Sequence, residues 1–504
     1  MSEQGDAAGQ AVRSRTVVPS PPGRPLAALL ADLPRSEVRG DPTTAVTSLC
    51  YRSGEVTSGA LFFCIPGARL DGHDFGAEAV VKGASVLVVE RRLPIDVVQV
   101  LVPSVRAVMG SISAAFHDHP AERLRMVGVT GTNGKTTTTF LLESIFRANG
   151  WTPGVIGTTG VRIGGRAVPY PRTTPEAPDL QRLLAEMVDA GVGATAMEVS
   201  SHGLHQHRVD GTRYEIAVFT NLTQDHLDYH ASMEEYFEAK ARLFTPAMSD
   251  GAVVNHDSAE GRQLVGSGLP TVTFGLDAGA DVRATEVRTT REGLSFRVER
   301  LEVRSSLRGL FNVENCLAAL TAARQIGISD EAIVRGIGEI RGVPGRVEPV
   351  EAGQDFLVMV DYAHTPDGLE NVLRTARPLA SGRLIAVFGC GGDRDRSKRP
   401  LMGRAATGLA DLAVVTSDNP RSEDPLAILA DIDPGAREGG GAYVVEPDRR
   451  LAIRIAVHEA ASGDVIVIAG KGHETYQELA DRTVAFDDRV VAAEEIRARL
   501  GDAT

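Results

Sequence analysis

The chain has 504 residues, of which 43% are hydrophobic and 24% charged, with a formal net charge of -13. It is too long for a single hydrophobic core, and its acidity argues against a general nucleic-acid binder, whose affinity comes from neutralising phosphates. Local Arg and Lys clusters can still hold an anionic substrate, and no apolar run reaches the length that spans a bilayer.

Residues 1–25 are rich in Gly, Ala, Ser and Pro and read as a disordered tail rather than a signal peptide. Residues 26–120 carry short apolar runs, at 60–65 and 84–89, separated by Gly and Asp turns, which predicts a small N-terminal α/β domain. From 121 to 345, strand-like runs at 125–130, 194–199, 216–222 and 251–255 alternate with helical patterns, the signature of a doubly wound, mostly parallel sheet. Antiparallel strands are expected over 282–310, and residues 342–346 read as a linker. A second α/β series, Rossmann-like, fills 346–504, with strands at 356–361, 383–389, 412–417 and 464–469. The predicted fold class is therefore α/β in three domains, with a central phosphate-loop ATPase-like parallel sheet. Cys50, Cys64, Cys316 and Cys390 lie far apart without metal-like spacing and read as reduced thiols of a cytoplasmic protein.

The most specific motif is Val127-Gly-Val-Thr-Gly-Thr-Asn-Gly-Lys-Thr-Thr-Thr138. A strand enters a Gly-rich turn and a helix begins at Lys135, so backbone N–H groups and a helix N-terminus can cradle phosphates. Val129 stands where the longer form of the motif has Gly, which makes this the shorter variant. Gly131, Thr132, Asn133, Gly134, Lys135, Thr136 and Thr137 are the expected nucleoside triphosphate contacts, with the Thr136 hydroxyl on Mg2+.

Glu198, at the end of a buried run, can hold Mg2+ or simply cap a helix. His202, His205, His207 and His226 invite a zinc reading, but no Cys joins them and their spacing fits no usual site. Asp225, His226, Asp228 and His230 concentrate ligand-capable groups in one loop, while Lys240, on an amphipathic helix, reads by spacing alone as a solvated charge.

Taken together these motifs resemble the Mur ligase family, most closely its diaminopimelate-adding branch. The resemblance is carried by Thr130–Thr137, Thr173-Thr-Pro-Glu176, Met197-Glu-Val-Ser-Ser-His-Gly-Leu204 and Asp225-His-Leu-Asp-Tyr-His230, then by Asn312 to Asn315, Asp361-Tyr-Ala-His-Thr-Pro-Asp367, Asp418-Asn-Pro-Arg421 and Gly470-Lys-Gly-His-Glu474. It covers roughly residues 45 to 495 in order. It implies an ATP-dependent ligase that phosphorylates a carboxylate and lets an amine attack the acyl phosphate. Lys135, His226 and Lys240 would then be catalytic, and Thr136, Glu198, His226 and Lys240 would hold Mg2+, Lys240 as a carbamate. Asn315, Arg346, Asp361 and His364 would contact the nucleotide. UDP-N-acetylmuramoyl-dipeptide would meet Ser53, Thr173, Thr174, Ser200, Gln206 and Arg208. Diaminopimelate would meet Arg394, Asp418, Asn419, Arg421, Gly470 and Glu474.

Arg421 favours diaminopimelate over lysine, because a guanidinium fork grips the distal carboxylate that lysine lacks. At 52–54 the chain reads Arg-Ser-Gly where the family usually has Asp-Ser-Arg, so only Ser53 carries the uridine reading. A lysine-adding or folylpolyglutamate-type ligase, a paralogue in a dedicated biosynthetic pathway, and an ATP-driven switch or motor remain as alternatives. The diaminopimelate stereoisomer is not legible, and a monomer is the default.

Overall fold

The computed structural model describes residues 23–502 except 32, 34, 68, 69 and 291. Of the expected tail, residues 1–22 lie outside the described residues. Arg24–Pro25 pairs antiparallel with Ala45–Val46. The chain divides into two compact units, one ending at Phe116 and one beginning at His117.

The first unit is built on a five-stranded sheet in the order Glu37–Arg39, Val98–Leu101, Ala84–Val89, Ala60–Phe63, Ser48–Cys50. All neighbours are parallel except Glu37–Arg39 against Val98–Leu101. Ala60–Phe63 is buried at every residue, as a central parallel strand covered on both faces must be.

The second unit holds a nine-stranded sheet ordered Arg166–Val168, Gly160–Ile163, Pro153–Gly157, Ala194–Glu198, Arg125–Thr130, Tyr214–Phe219, Ser249–Asn255, Thr271–Gly275, Val282–Arg283. From Pro153–Gly157 to Val282–Arg283 every pairing is parallel. Glu198 lies beside Val129, and Phe219 beside Thr130. The loops after these three strands therefore open side by side at the carboxyl edge of the sheet, where open α/β sheets bind ligands. Strands Thr285–Thr289, Leu294–Val298 and Leu301–Ser305 form the expected antiparallel sheet, and Leu294, Phe296, Val298 and Val303 join the core beneath helix Leu310–Gln325.

A six-stranded sheet follows, ordered Glu348–Pro349, Leu357–Asp361, Val465–Ala469, Leu384–Phe388, Leu412–Val415, Ala442–Val445. The strand Val465–Ala469, late in the chain, lies between Leu357–Asp361 and Leu384–Phe388. The loops after Asp361, Phe388, Val415 and Ala469 thus converge. Residues 342–346 form a tight turn rather than an extended linker: Val343 bridges Arg346, and Gly345 has φ 67°. The four cysteines are buried and unpaired, and among the described residues no helix is long and apolar enough to cross a membrane.

Candidate active site

The phosphate loop is shaped by two glycines. Gly131 has φ 147°, and a Cβ there would stand 1.9 Å from Thr220 Oγ1. Gly134 has φ 87°, and a Cβ there would stand 2.3 Å from Asn315 Oδ1. Only glycine combines that backbone with that proximity. Helix Lys135–Ala148 starts directly behind, with its free N–H groups facing the loop. Lys135 Nζ donates to the carbonyls of Gly131 and Thr132, at 2.9 and 2.7 Å, and burial lowers its pKa. Those carbonyls hold the ammonium where a phosphate can replace them.

Around the loop stand the expected metal-binding groups. Glu198 is 1% exposed and accepts from the Thr158 amide and hydroxyl, both at 2.9 Å. A Cβ on Gly157 would meet Glu198 Oε1 at 2.3 Å, so that glycine makes room for the carboxylate. The Thr136 hydroxyl accepts from Arg346 Nη2 at 3.2 Å. His226 sits in the left-handed region, φ 57°, with Nε2 3.4 Å from Asp225 Oδ2. Burial drives the His226 pKa down to about 2, so its imidazole is neutral and free to be a ligand. Burial pushes the Asp225 carboxyl up, but the hydrogen bond from His364 and the charges of His226 and His364 outweigh it and leave the group well below the usual range.

Lys240 is not the solvated charge its spacing suggested. Helix Met233–Ala241 delivers it inward, 1% exposed, with Nζ 2.9 Å from the Gly131 carbonyl and 4.3 Å from the centre of the Tyr236 ring. Burial, reinforced by the charge of Lys135, holds its pKa well below the ordinary lysine value. An uncharged amine is a nucleophile. Hydroxyl, carboxylate and neutral imidazole make a donor set suited to a hard divalent cation, and an anionic oxygen on Lys240 would complete it.

One cavity of about 1080 Å3 joins these groups to the rest of the predicted site. On one side lie Thr173, Thr174, Ser200 and Arg208. The Thr174 hydroxyl donates to the Glu198 carbonyl and accepts from the Ser200 amide, both at 3.0 Å, while Thr173 meets the Thr158 hydroxyl at 3.1 Å. Arg208 pairs with Glu176 at 3.1 Å and donates to Gln206 Oε1 at 2.6 Å. Gln206 itself does not line the cavity and acts through Arg208 and the Tyr229 hydroxyl.

On the other side lie Arg394, Arg421 and Glu474. Arg421, at φ 50°, is held by Glu478 Oε2 and the Gly392 carbonyl, both at 2.8 Å. Asp418, Asn419 and Gly470 stand behind this wall rather than on it. Asn419 donates to Glu474 Oε2 at 2.8 Å and accepts from Lys471 at 3.1 Å, and a Cβ on Gly470 would meet Asp418 Oδ2 at 2.3 Å.

A second cavity, of about 580 Å3, shares Asn133, Gly134 and Arg346 with the first and adds Thr137, Asn315 and Asp361. Both Asp361 oxygens already accept backbone amides, from Val347 at 2.8 Å and Ala363 at 2.7 Å. His364 lines the larger cavity. Ser53 belongs to the first unit, in the short turn Ser53–Glu55, where its carbonyl accepts from Lys82.

Lining residues given no role from the sequence include Tyr236, Tyr362 and His473, while His202 was weighed there only as a zinc ligand. His202 lay inside the motif that holds Glu198, with burial lowering its pKa to about 4. Tyr362 and His473 lay inside motifs that carry the family resemblance, and of the three only Tyr236 carried no pattern that separated it from core.

Three family models match in order: the Mur ligase family catalytic domain over 45–125, the Mur ligase middle domain over 129–323, and the Mur ligase glutamate ligase domain over 345–472. A UDP-N-acetylmuramoyl-L-alanyl-D-glutamate--2,6-diaminopimelate ligase of Geobacillus thermodenitrificans (strain NG80-2) is 47% identical over 486 residues, 94% of this chain and 99% of that one. A solved structure of a ligase with the same name superposes with a TM-score of 0.68 at 36% identity, covering 95% of this chain and 99% of the other. The MurF ligase from Thermotoga maritima in complex with ADP shares the fold, with a TM-score of 0.61 at 19% identity, over 90% and 97% of the two chains.

Proposed function

This chain belongs to the Mur ligase family, and we propose that it joins 2,6-diaminopimelate to UDP-N-acetylmuramoyl-L-alanyl-D-glutamate at the expense of ATP, as an enzyme of peptidoglycan precursor synthesis. The observation that carries this reading is the meeting of three parts in one cavity: a phosphate loop, a buried Lys240 whose pKa burial lowers, and the cluster of Arg394, Arg421 and Glu474.

The chemistry follows from charge. A carboxylate must attack the terminal phosphoryl group of a nucleotide, so two anions must meet. Lys135 supplies one fixed positive charge beside the loop. Thr136, Glu198 and His226 would hold magnesium, which when bound screens the remaining negative charge. For Lys240 the reading adds a carbamate. The Nζ lone pair attacks carbon dioxide, an N–C bond forms, a C=O pair moves to oxygen, and the nitrogen gives its extra proton to water. The product presents anionic oxygens where an ammonium could not ligate a cation. The substrate carboxylate then approaches from the side of Thr173, Thr174, Ser200 and Arg208. Its oxygen bonds to phosphorus as ADP leaves.

The amine of diaminopimelate enters from the opposite wall. Arg421 suits its distal carboxylate, and Glu474 suits its distal ammonium. Attack on the acyl phosphate forms the amide and expels phosphate. Asp361 and Asn315 are read as contacts of the nucleoside. Domain boundaries near 120 and 345, a monomeric state and a cytoplasmic setting complete the reading.

The test is phosphate release from ATP with UDP-N-acetylmuramoyl-L-alanyl-D-glutamate plus diaminopimelate, lysine or neither. Release with diaminopimelate alone, and a product heavier by one residue, is expected. Equal release with lysine would remove the specificity assigned to Arg421, and release without any acceptor would favour a nucleotide-driven switch.

A further inference from the structure

The larger cavity carries the groups read as contacts for both acceptors, so a triphosphate on residues 131–137 has its nucleoside in the second cavity. That cavity shares Asn133 and Gly134 with the phosphate loop, and its walls include Phe311, Val372 and Leu379, which suit a flat base. Among the ionisable groups there without a part in the chemistry above, Glu314 is the one beside Asn315. Glu314 stands on helix Leu310–Gln325, directly before Asn315, and lines the cavity. Among the described residues its carboxyl has a single hydrogen-bond partner, Asn255 Nδ2, at 3.4 Å. Even that amide is better placed on the Thr220 carbonyl, at 2.9 Å. With one long hydrogen bond, this half-buried carboxyl keeps acceptor capacity open to a ligand in the cavity.

We propose that Glu314 reads the base of the nucleotide, its carboxyl oxygen accepting a hydrogen bond from the exocyclic amino group of adenine. This rests on the ATP reading above and extends it to base selection. Burial, with the nearby carboxylates of Asp257 and Asp367, raises the Glu314 pKa to about 7. At neutral pH a large share of the group is therefore protonated. In that form it donates its proton to the adenine ring nitrogen flanking the amino group while the other oxygen accepts, which makes a two-bond pair. The acid form also avoids placing an unpaired negative charge against the base.

The experiment compares kcat/KM for ATP with that for purine riboside 5′-triphosphate, which lacks the amino group, in the wild type, Glu314→Gln and Glu314→Leu. The wild type should prefer ATP about tenfold, the order expected for a hydrogen bond worth about 1 kcal/mol or a little more. Glu314→Gln, whose amide keeps one donor and one acceptor, should retain the preference. Glu314→Leu should reduce it to near unity, with the KM values of the other two substrates unchanged. An undiminished preference in Glu314→Leu overturns the inference alone. A wild type that consumes no ATP with any acceptor overturns it together with the reading on which it rests. Loss of the preference in Glu314→Gln as well would overturn the paired geometry.

Discussion

Lys240 illustrates how burial shifts the chemistry of an ordinary side chain, and the carbamate proposed for it rests on that shift. A lysine ammonium in water does not react with carbon dioxide, since its lone pair is occupied. Here desolvation and the like charge of Lys135 hold the pKa well below the ordinary lysine value, which favours the free amine, and the Gly131 carbonyl lies 2.9 Å from the nitrogen. The linkage has a direct sign. A lysine whose folded pKa lies below its unfolded value costs stability wherever the unfolded chain would hold the proton, and the cost fades only as pH rises toward the unfolded pKa. Such a penalty is retained where the group has work to do. Lys240→Ala should therefore lower ligation by about a hundredfold or more, the scale of losing a fixed electrostatic contact to the reacting phosphate. In the wild type, removing dissolved bicarbonate should slow the reaction and restoring it should recover the rate. With 13C-labelled bicarbonate, a carbamate resonance should appear in the wild type and be missing from Lys240→Ala. A resonance that persists in the variant would place the carbamate elsewhere.

Among the elements, one buried ion pair sits behind the loops that follow strands Leu412–Val415 and Val465–Ala469. Arg449 opens helix Arg449–Glu459 and is fully buried with Asp488, at 2.8 and 2.7 Å. It also donates to the carbonyls of Ser417 and Ala469, at 3.2 and 3.0 Å, the residues just before Asp418 and Gly470. One guanidinium thus ties together the two loops that back the Arg421 and Glu474 wall. Removing one partner leaves an uncompensated buried charge, so Asp488→Asn should destabilise the chain by about 3–5 kcal/mol in denaturant unfolding. It should also raise the KM for diaminopimelate more than that for ATP. A parallel rise in both would mean that the pair merely holds the fold. No sequence pattern announced Arg449, because its partner is far along the chain and a lone Arg at a helix start looks solvated. The same limit explains the other omissions. Pro153–Gly157 is bracketed by residues that usually mark turns, and Ala442–Val445 is an exposed edge strand without alternation. Runs such as Arg125–Thr130 and Ala60–Phe63 were legible because continuous burial writes itself as continuous hydrophobicity. The phosphate loop was legible for a different reason, since its glycines are demanded by local backbone geometry. Lys240 was legible only through the family resemblance and not from its spacing, because its burial depends on Tyr236 and Gly131, contacts that only the fold creates.

At the scale of the second unit, the two large sheets meet through contacts that occupy groups read as nucleotide contacts. Arg346 holds the Thr136 hydroxyl, Asn133 donates to Asp367 at 2.9 Å, and His364 stands 3.7 Å from Asp225. On the proposed reading, magnesium and phosphates at Thr136 would displace Arg346, which would link binding to the relation between the sheets. The turn at 343–347 is built to carry that link. Val347, a β-branched residue, is held at φ 48°, a conformation that costs about 1–3 kcal/mol. Its amide is fixed by Asp361 Oδ2, on the residue read as a ribose contact. A ribose hydroxyl competing for Asp361 would loosen Val347 at the moment the phosphates draw Arg346 away from Thr136. Residues 346–504 should then rotate as a body about this turn, closing on the acceptors. A non-hydrolysable ATP analogue with magnesium and the UDP-sugar substrate should therefore reduce the radius of gyration in solution scattering. Gly345→Ala places a Cβ 2.1 Å from the His473 amide at φ 67°, so it should prevent that compaction while the phosphate loop itself still binds nucleotide. If the wild-type radius is unchanged by the ligands, the two sheets already stand as catalysis requires, and the strain at Val347 serves the turn alone.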